Sequence, residues 1–159
     1  MRFVVATILA SVVLGLGCKP ALIPGTSIED TDDNRHVIEF LAKYRTAILS
    51  RNPDQVVGLC TKDYFEDNGT ADQADDYGID GLKQKLSADF SKTKDLQLEL
   101  IVQKIERAEP AKNVVNVAYR YNERALVAFP AGEKWISLTD VNRLVLKQVD
   151  DMFLIQSGL

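Results

Sequence analysis

The spacing of apolar residues changes once along the chain, from a helical period to a strict alternation. In the first half, beginning at Thr31, apolar side chains recur every three or four residues, at Val37, Leu41, Tyr44 and Ile48. This spacing predicts an amphipathic helix of about five turns, with Thr31 or Asp32 as its N-terminal cap. A second, short helix is predicted from Asn52-Pro53, because Asn caps helices well and Pro suits the first helical position.

A third helix is predicted after an acidic segment. The segment Asp63 to Asp80 holds seven acidic residues and no basic residue. Its acids do not follow the spacing of a calcium-binding loop, so we expect a solvated loop with one brief strand at Tyr64-Phe65. Asp80 is then the expected cap of the third helix, whose apolar face carries Leu82, Leu86 and Phe90.

From Leu96 onward the period is two, as in a strand with one buried face. The alternating apolar positions are Leu96, Leu98, Leu100 and Val102, and then Val115, Val117, Tyr119 and Tyr121. The turn Phe129 to Glu133 leads into a long strand from Trp135 to about Val149, and Asp150-Asp151 leads into a last strand, Met152–Ser157. Strands with such short connections pair antiparallel. The pattern therefore predicts three helices followed by a four-stranded meander.

The composition excludes several classes of function. A chain of 159 residues corresponds to one domain. Its 23 acidic and 19 basic residues give a net charge of −4, and it lacks the clustered Lys and Arg that nucleic-acid binding requires. Two cysteines and one histidine make a poor zinc site and cannot form a disulfide framework. We therefore expect no nucleic-acid partner, no metal and no cofactor.

The N-terminal stretch predicts export and attachment to a membrane. Phe3 to Leu16 is an apolar run of 14 residues, shorter than the about 20 that a membrane-spanning helix needs, and typical of a secretory signal. The following residues, Leu14-Gly15-Leu16-Gly17-Cys18, resemble a bacterial lipobox, in which the cysteine is diacylated and becomes the new N-terminus. Ordinary cleavage near Gly17 and an uncleaved anchor are the alternatives.

These features divide the chain into a signal peptide at residues 1–17, a lipidated cysteine with a tether at 18–31, and a folded domain at 32–159. Two prolines and a glycine between Lys19 and Asp30, without periodicity, are typical of a tether. Lys19 rather than Asp follows the cysteine, as in lipoproteins sorted to the bacterial outer membrane. We therefore expect a lipid-anchored protein of the cell envelope, on the periplasmic side.

The order of elements resembles the nuclear transport factor 2-like superfamily, which includes SnoaL-like and ketosteroid isomerase-like domains. The segment FLAKYRTAILSRNPDQVVGLCTKDYFEDNGT (Phe40 to Thr70) is similar to the opening of those domains, and DDMFLIQSGL (Asp150 to Leu159) is similar to their last hairpin. The resemblance covers about Asp32 to Leu159. It implies an α+β cone, in which a strongly curved antiparallel sheet wraps around three N-terminal helices and leaves a pocket at its open end.

Five aromatic residues lie on elements that line the pocket in this family. They are Tyr44, Tyr64, Tyr119, Tyr121 and Trp135. Tyr and Trp combine an apolar body with a polar tip, which suits a pocket for a small amphipathic ligand. The alternative is that the same residues simply fill the core of the cone.

Catalytic relatives in this superfamily use an Asp or His as base, with a Tyr or a protonated Asp that polarises the substrate. Asp63 and Asp140 are the nearest candidates. Asp140 is also explained as a cross-strand partner of Arg143, Arg120 or Lys147, and His36, beside the first helix N-terminus, as a solvated residue. The lack of a complete catalytic set favours a non-catalytic domain.

Three functions are therefore open. The first is a membrane-anchored, non-catalytic domain that binds a small apolar ligand or a protein partner in the cell envelope. The second is an isomerase, dehydratase or cyclase that uses a pocket Asp and a Tyr. The third is a homodimer that pairs through the outer face of the sheet, along Trp135 to Val149. All three stay open because a fold does not by itself fix an activity.

Overall fold

The computed structural model describes residues 20–109, 111 and 113–159. The predicted signal peptide and the predicted lipidation site at Cys18 lie outside these residues. Part of the segment that we expected to be a tether is folded, because Leu22 and Glu29 form an antiparallel bridge and Ile28 is buried in the core. The packed part of the chain thus begins before Asp32.

Three helices precede the main sheet, as predicted: α1 (Asp32–Leu49), α2 (Pro53–Val57) and α3 (Ile79–Lys92). Thr31 caps α1 by accepting a hydrogen bond from the backbone of Asn34 at 3.2 Å, and Asn52 caps α2 in the same way. Within the described ranges, no helix is both long and apolar enough to cross a bilayer.

The start of α3 corrects the expectation for Asp80. The N-cap is Gly78, without a side-chain bond, and Asp80 lies inside the first turn. The reason is a short strand pair: the brief strand expected at Tyr64-Phe65 is present as β1 (Phe65–Glu66), and it pairs with a second strand, β2 (Tyr77–Gly78), that was not expected. Because the chain leaves β2 directly into the helix, the cap falls on the last strand residue. Asp80 still places its negative charge at the positive end of α3.

The predicted meander is confirmed as a four-stranded antiparallel sheet in the order β3-β4-β5-β6. Its strands are β3 (Thr93–Arg107), β4 (Val114–Phe129), β5 (Gly132–Val149) and β6 (Met152–Ser157). The last strand has the predicted bounds, whereas β3 begins directly after α3 and three residues earlier than the alternation indicated.

The helices cover one face of the sheet, which we call the concave face. Helix α1 runs along β3: near its start, Asp33 pairs with Arg107 at 2.9 Å, and just beyond its end, Arg51 donates to the carbonyl oxygen of Thr93 at 2.8 Å. Between these ends the core is dense, with fully buried side chains from α1, α2 and three strands at Val37, Val56, Val115, Val117, Leu144, Leu146 and Ile155.

The first half of β5 extends beyond this core. Every residue from Gly132 to Val141 is exposed, although all of them pair with β4. On the other side, β6 pairs with β5 only from Val145 onward, and no other strand of the described chain pairs there. We call the unpaired side of Gly132 to Val141 the free edge.

Candidate functional site

A cavity of about 390 Å³ lies between the end of α1, helix α3 and the concave face of β3 and β4. This volume is within the usual range for small-molecule sites. Half of its lining residues are apolar, because the alternating side chains of β3 face the apolar stripes of α1 and α3. The apolar lining residues are Ile48, Leu86, Phe90, Leu96, Leu98, Leu100, Ala125 and Val127.

The best-buried polar groups of the cavity form a hydrogen-bonded chain. The Tyr44 hydroxyl donates to the Tyr119 hydroxyl oxygen, and the Asn142 side-chain amide donates to the same oxygen at 3.3 Å. Asn142 is itself held by the carbonyl oxygen of Gly158 at 2.9 Å. Because Tyr119 accepts both bonds, its own hydroxyl proton can be donated to an acceptor in the cavity.

Burial keeps these two tyrosines neutral. It is the largest cause that raises the pKa of both Tyr44 and Tyr119 above the usual value of a phenol, because a charged phenolate is poorly solvated away from water. At neutral pH, both residues are therefore hydrogen-bond donors rather than bases.

Glu123 is the acidic residue on the sheet wall of the cavity, and the sequence analysis missed it. It follows Tyr119 and Tyr121 at steps of two along β4, so all three side chains share the concave face, and it lines the cavity with Asp89 and Lys92 of α3. Glu123 is half-buried, and burial, followed by the negative charge of Asp89, raises its pKa. Extending the alternation that identified the two tyrosines by one step would have found it.

Three of the five predicted aromatic residues meet in the cavity, namely Tyr44, Tyr119 and Tyr121. The rings of Tyr119 and Tyr121 lie 6.4 Å apart between centroids. Tyr64 is also buried but does not line this cavity. Its hydroxyl instead donates to the carbonyl oxygen of Leu159 at 3.0 Å.

Trp135 lies on the opposite, convex face, which differs from the expected position. The tight turn between β4 and β5 pairs Trp135 with Leu126. The cavity residues of β4 are odd-numbered, so Leu126 and its partner Trp135 lie on the other face of the sheet. Trp135 is 38% exposed, and the guanidinium group of Arg124 stacks on its ring, 4.5 Å from the centroid. It therefore contributes to the surface rather than to the pocket.

The two predicted catalytic acids are not brought together in the cavity. Asp63 is exposed and lies 3.6 Å from the ammonium group of Lys147. Asp140 is exposed as well, and its carboxylate accepts a bond from the backbone N–H of Val141 at 2.8 Å. The cross-strand pair with Arg143 is not formed, because Arg143 donates to Asn116 instead. His36 is exposed on α1.

The arrangement can hold an amphipathic molecule. The apolar walls exclude water from its body, the Tyr119 hydroxyl donates to an acceptor on its polar end, and Glu123 offers either a proton or a negative charge. Among the residues that the structure describes, no group of three or more His, Cys, Asp and Glu side chains could hold a metal ion.

Comparison with known proteins identifies the fold. No protein-family model matches the sequence, and a search of curated proteins found no match. Solved structures do match, at low identity, and each of the following is a protein that this chain is similar to.

A ketosteroid isomerase-like protein from Erwinia carotovora atroseptica has a TM-score of 0.62 at 10% identity, covering 81% of this chain and 95% of that one. A candidate dehydratase of the NTF2-like family from Streptomyces avermitilis has a TM-score of 0.59 at 12% identity, covering 79% and 93%. A candidate scytalone dehydratase from Novosphingobium aromaticivorans has a TM-score of 0.64 at 12% identity, covering 79% and 80%. With its three helices set against a curved antiparallel meander, the chain has the nuclear transport factor 2-like fold.

Proposed function

We propose that this protein is a non-catalytic binding domain that takes a small, largely apolar ligand with one polar end. The observation that carries the proposal is the cavity itself, with apolar walls around the hydroxyl of Tyr119. Tyr44 and Asn142 fix that hydroxyl in place. A ligand that accepts a hydrogen bond from it therefore loses little binding free energy to reorganisation of the site.

The positions of the acids favour binding over catalysis. Both acids expected to serve a catalytic pocket, Asp63 and Asp140, lie at the surface. The names of the similar structures, a ketosteroid isomerase-like protein and two candidate dehydratases, suggest small organic molecules as occupants of this fold. We propose that this chain binds a molecule of that class, and we do not extend the reaction to it.

Thermal unfolding with a panel of steroids, fatty acids and soluble envelope fragments tests the binding proposal. We expect at least one compound to raise the Tm of the full chain. The shift is expected to shrink in Ala125→Leu, which fills part of the cavity, and to persist in Trp135→Phe, on the opposite face. If no compound raises the Tm, or if Ala125→Leu responds like the unsubstituted chain, the cavity is not a binding site.

A second candidate function is proton transfer of the isomerase or dehydratase type, with Glu123 in place of the predicted aspartates. The observation that favours it is the raised pKa of Glu123 on the face that carries Tyr119, since acids with raised pKa values concentrate at catalytic sites. The test is the isomerisation of a β,γ-unsaturated ketosteroid to its conjugated isomer, which is monitored by ultraviolet absorbance. Turnover that is lost in Glu123→Gln, with binding retained, would replace the non-catalytic proposal.

We also propose that the chain is anchored to a bacterial membrane through a lipid on Cys18. The support is the apolar run Phe3 to Leu16 followed by the lipobox-like cysteine, since acyl chains on a cysteine hold a protein at a bilayer. Cys18→Ala is expected to move the protein from the membrane fraction to the soluble fraction. Cys60→Ala is the matched control and is expected to stay at the membrane. An intact Met1, or an unmodified N-terminus by mass spectrometry, contradicts lipidation.

A further inference from the structure

We propose that two copies of this chain pair through the free edge of β5, antiparallel and centred on Ser137. The residues of this interface do not line the ligand cavity, although Ile136 and Leu138 lie opposite its residues Ala125 and Glu123. The interface also differs from pairing through the outer face of the sheet. Three observations support it: the direction of the backbone groups of Gly132 to Val141, the pattern of its side chains, and the polar row that crosses the neighbouring convex face between Trp135 and Val141.

The backbone of the free edge is oriented for pairing. The N–H group of Val141 donates to the side chain of Asp140, and that of Arg143 donates to the side chain of Asn142, rather than to β4. By contrast, the N–H of Gln148 donates to the carbonyl of Asn113 on the β4 side at 2.7 Å. Odd-numbered residues of β5 therefore direct their N–H and C=O groups away from β4, and Ser137 lies in the middle of that row.

The side chains of the free edge are complementary to themselves. When Ser137 faces Ser137 of a second copy, Lys134 of each chain faces Asp140 of the other, and Ile136 of each faces Leu138 of the other. Ile136 and Leu138 are 43% and 49% exposed in the single chain. Directly opposed residues of an antiparallel pair share a face, so the two apolar pairs form one cluster, bounded at each end by an ion pair.

Neighbouring registers lose this match. Centring the pair on Ile136 places Lys134 opposite Leu138, and centring it on Leu138 places Asp140 opposite Ile136. One register thus satisfies both the charges and the apolar residues, and this is expected of an isologous interface in which one patch meets its own copy.

The convex face beside the edge is a weaker candidate for the same contact. Its polar side chains already bond to each other across three strands, since Thr139 donates to Asn122 at 3.0 Å and Asn122 donates to Glu99 at 2.7 Å. Burying this row against a partner would remove its water without supplying new bonds. An exposed strand edge, in contrast, presents unpaired backbone groups that another strand satisfies directly.

Disulfide cross-linking of the full chain in mild detergent tests the pairing and its register. In the proposed pair, the Ser137 Cα atoms face each other at about 5.5 Å, a separation that suits a disulfide. Ser137→Cys is therefore expected to form a covalent dimer under mild oxidation. Thr139→Cys is the matched control on the same strand and face, and it is expected to form no covalent dimer, because its counterpart lies several residues away in the pair. The unsubstituted chain gives the background from Cys18 and Cys60.

Sedimentation of charge variants tests the ion pairs. Lys134→Asp and Asp140→Lys are each expected to shift the chain toward monomer, because each places like charges together at both ends of the interface. The double variant is expected to restore the dimer. Ser137→Pro removes an N–H that faces the free edge and leaves the β4–β5 bonds intact, so it is expected to abolish pairing, whereas Ser137→Thr retains it.

Three results would overturn the proposal. The first is a monomeric unsubstituted chain at all accessible concentrations. The second is a dimer that survives Ser137→Pro or is not restored by the double charge variant. The third is cross-linking of Thr139→Cys as readily as of Ser137→Cys. None of these readouts uses a ligand, so they are independent of whether the cavity binds one.

Discussion

Tyr119 holds the polar part of the cavity together, because its hydroxyl oxygen accepts hydrogen bonds from two neighbours. Tyr44 reaches it from α1 and Asn142 from β5. The three side chains are distant in sequence, and they meet because β5 pairs with β4 and α1 packs on the concave face of the same sheet. A change at Tyr119 therefore affects three elements at once.

We expect Tyr119→Phe to reduce the free energy of unfolding by about 1–3 kcal/mol, because it leaves two buried donors without their acceptor. Tyr121→Phe is the matched control on the same strand face, because that side chain is more exposed and its loss is expected to be small. Urea unfolding of both variants is the measurement. Equal losses in the two variants would show that the hydrogen-bonded chain does not stabilise the fold.

Glu123 provides a prediction about pH. Its pKa is raised by burial and by Asp89, so the folded chain binds this proton more tightly than the unfolded chain does. The ionisation of Glu123 therefore opposes folding, and stability is lost as pH rises through its raised pKa. We expect Glu123→Gln to be as stable as the unsubstituted chain near pH 4 and to gain up to about 1 kcal/mol near pH 8, a modest value because the group is half-exposed to screening solvent.

The measurement is Tm against pH for three chains: unsubstituted, Glu123→Gln and Asp89→Asn. Because Asp89 contributes to the raised pKa, its replacement is expected to give part of the same gain. Glu133→Gln, on the exposed end of β5, makes the identical substitution outside the cavity. If it gives the same gain, the effect does not arise from burial in the cavity.

Glu123 and Trp135 show what the sequence could and could not predict about single residues. Glu123 shares the alternation of Tyr119 and Tyr121, so its face was readable from the sequence. Trp135 was not readable in this way, because its face depends on the register between β4 and β5. A shift of one residue exchanges the two faces of a strand, and only the structure shows that Trp135 pairs with Leu126.

At the scale of elements, the β1–β2 pair is docked on the residues that follow β6. The hydroxyls of Tyr64 and Tyr77 both donate to the carbonyl oxygen of Leu159, and the carboxylate of Glu66 accepts a bond from the N–H of Gly158. Gly158 has a φ of +105°, a conformation that residues with a side chain rarely adopt. This backbone conformation lets the chain pass close to β5.

We expect Gly158→Ala to destabilise the chain by several kcal/mol, because the added Cβ would meet the carbonyl oxygen of Arg143 in a strained conformation. Gly69→Ala is the matched control: Gly69 also has a positive φ, of +66°, but its Cβ would meet open space, so the cost is about 1–2 kcal/mol. Chemical unfolding of both variants measures the difference. Similar losses would mean that the close approach to Arg143 is not important.

Helices were predicted best where a single residue decides the boundary. Thr31 and Asn52 cap α1 and α2 as expected, because capping is local chemistry. The start of α3 was wrong at Asp80, because it depends on the β1–β2 pair, which joins residues on either side of a long loop. Contacts across such a loop leave no periodic signal in the sequence.

At the scale of the whole molecule, the cone followed from the order of helices and strands, since a single sheet with one apolar face needs helices to cover it. The free edge was also partly readable. The predicted length of β5 is far greater than that of β6, Met152–Ser157, and a short strand cannot pair with the whole of a long one. Because the Asp150-Asp151 turn joins β6 to the end of β5, the unpaired part is expected in the first half of β5, and the structure confirms this.

If two copies pair along this edge, we expect the Tm of the unsubstituted chain to rise with protein concentration, because association stabilises the folded state by mass action. Ser137→Pro is expected to show a Tm that does not depend on concentration. Scanning calorimetry over about a hundredfold range of concentration makes the comparison, since the effect grows with the logarithm of concentration. Parallel behaviour of the two chains would count against pairing at this strand.

The direction of α1 along β3 determines at which end of the domain the cavity lies. Helix α1 begins beside Asp33 and Arg107, whereas Thr93 and Leu96, which line the cavity, lie at the other end of β3, about 27 Å away along the 18-residue helix. If the chain is anchored through Cys18, as proposed, the cavity thus lies at the end of the domain that faces away from the membrane. A ligand of the cavity would then enter from the aqueous compartment rather than directly from the bilayer.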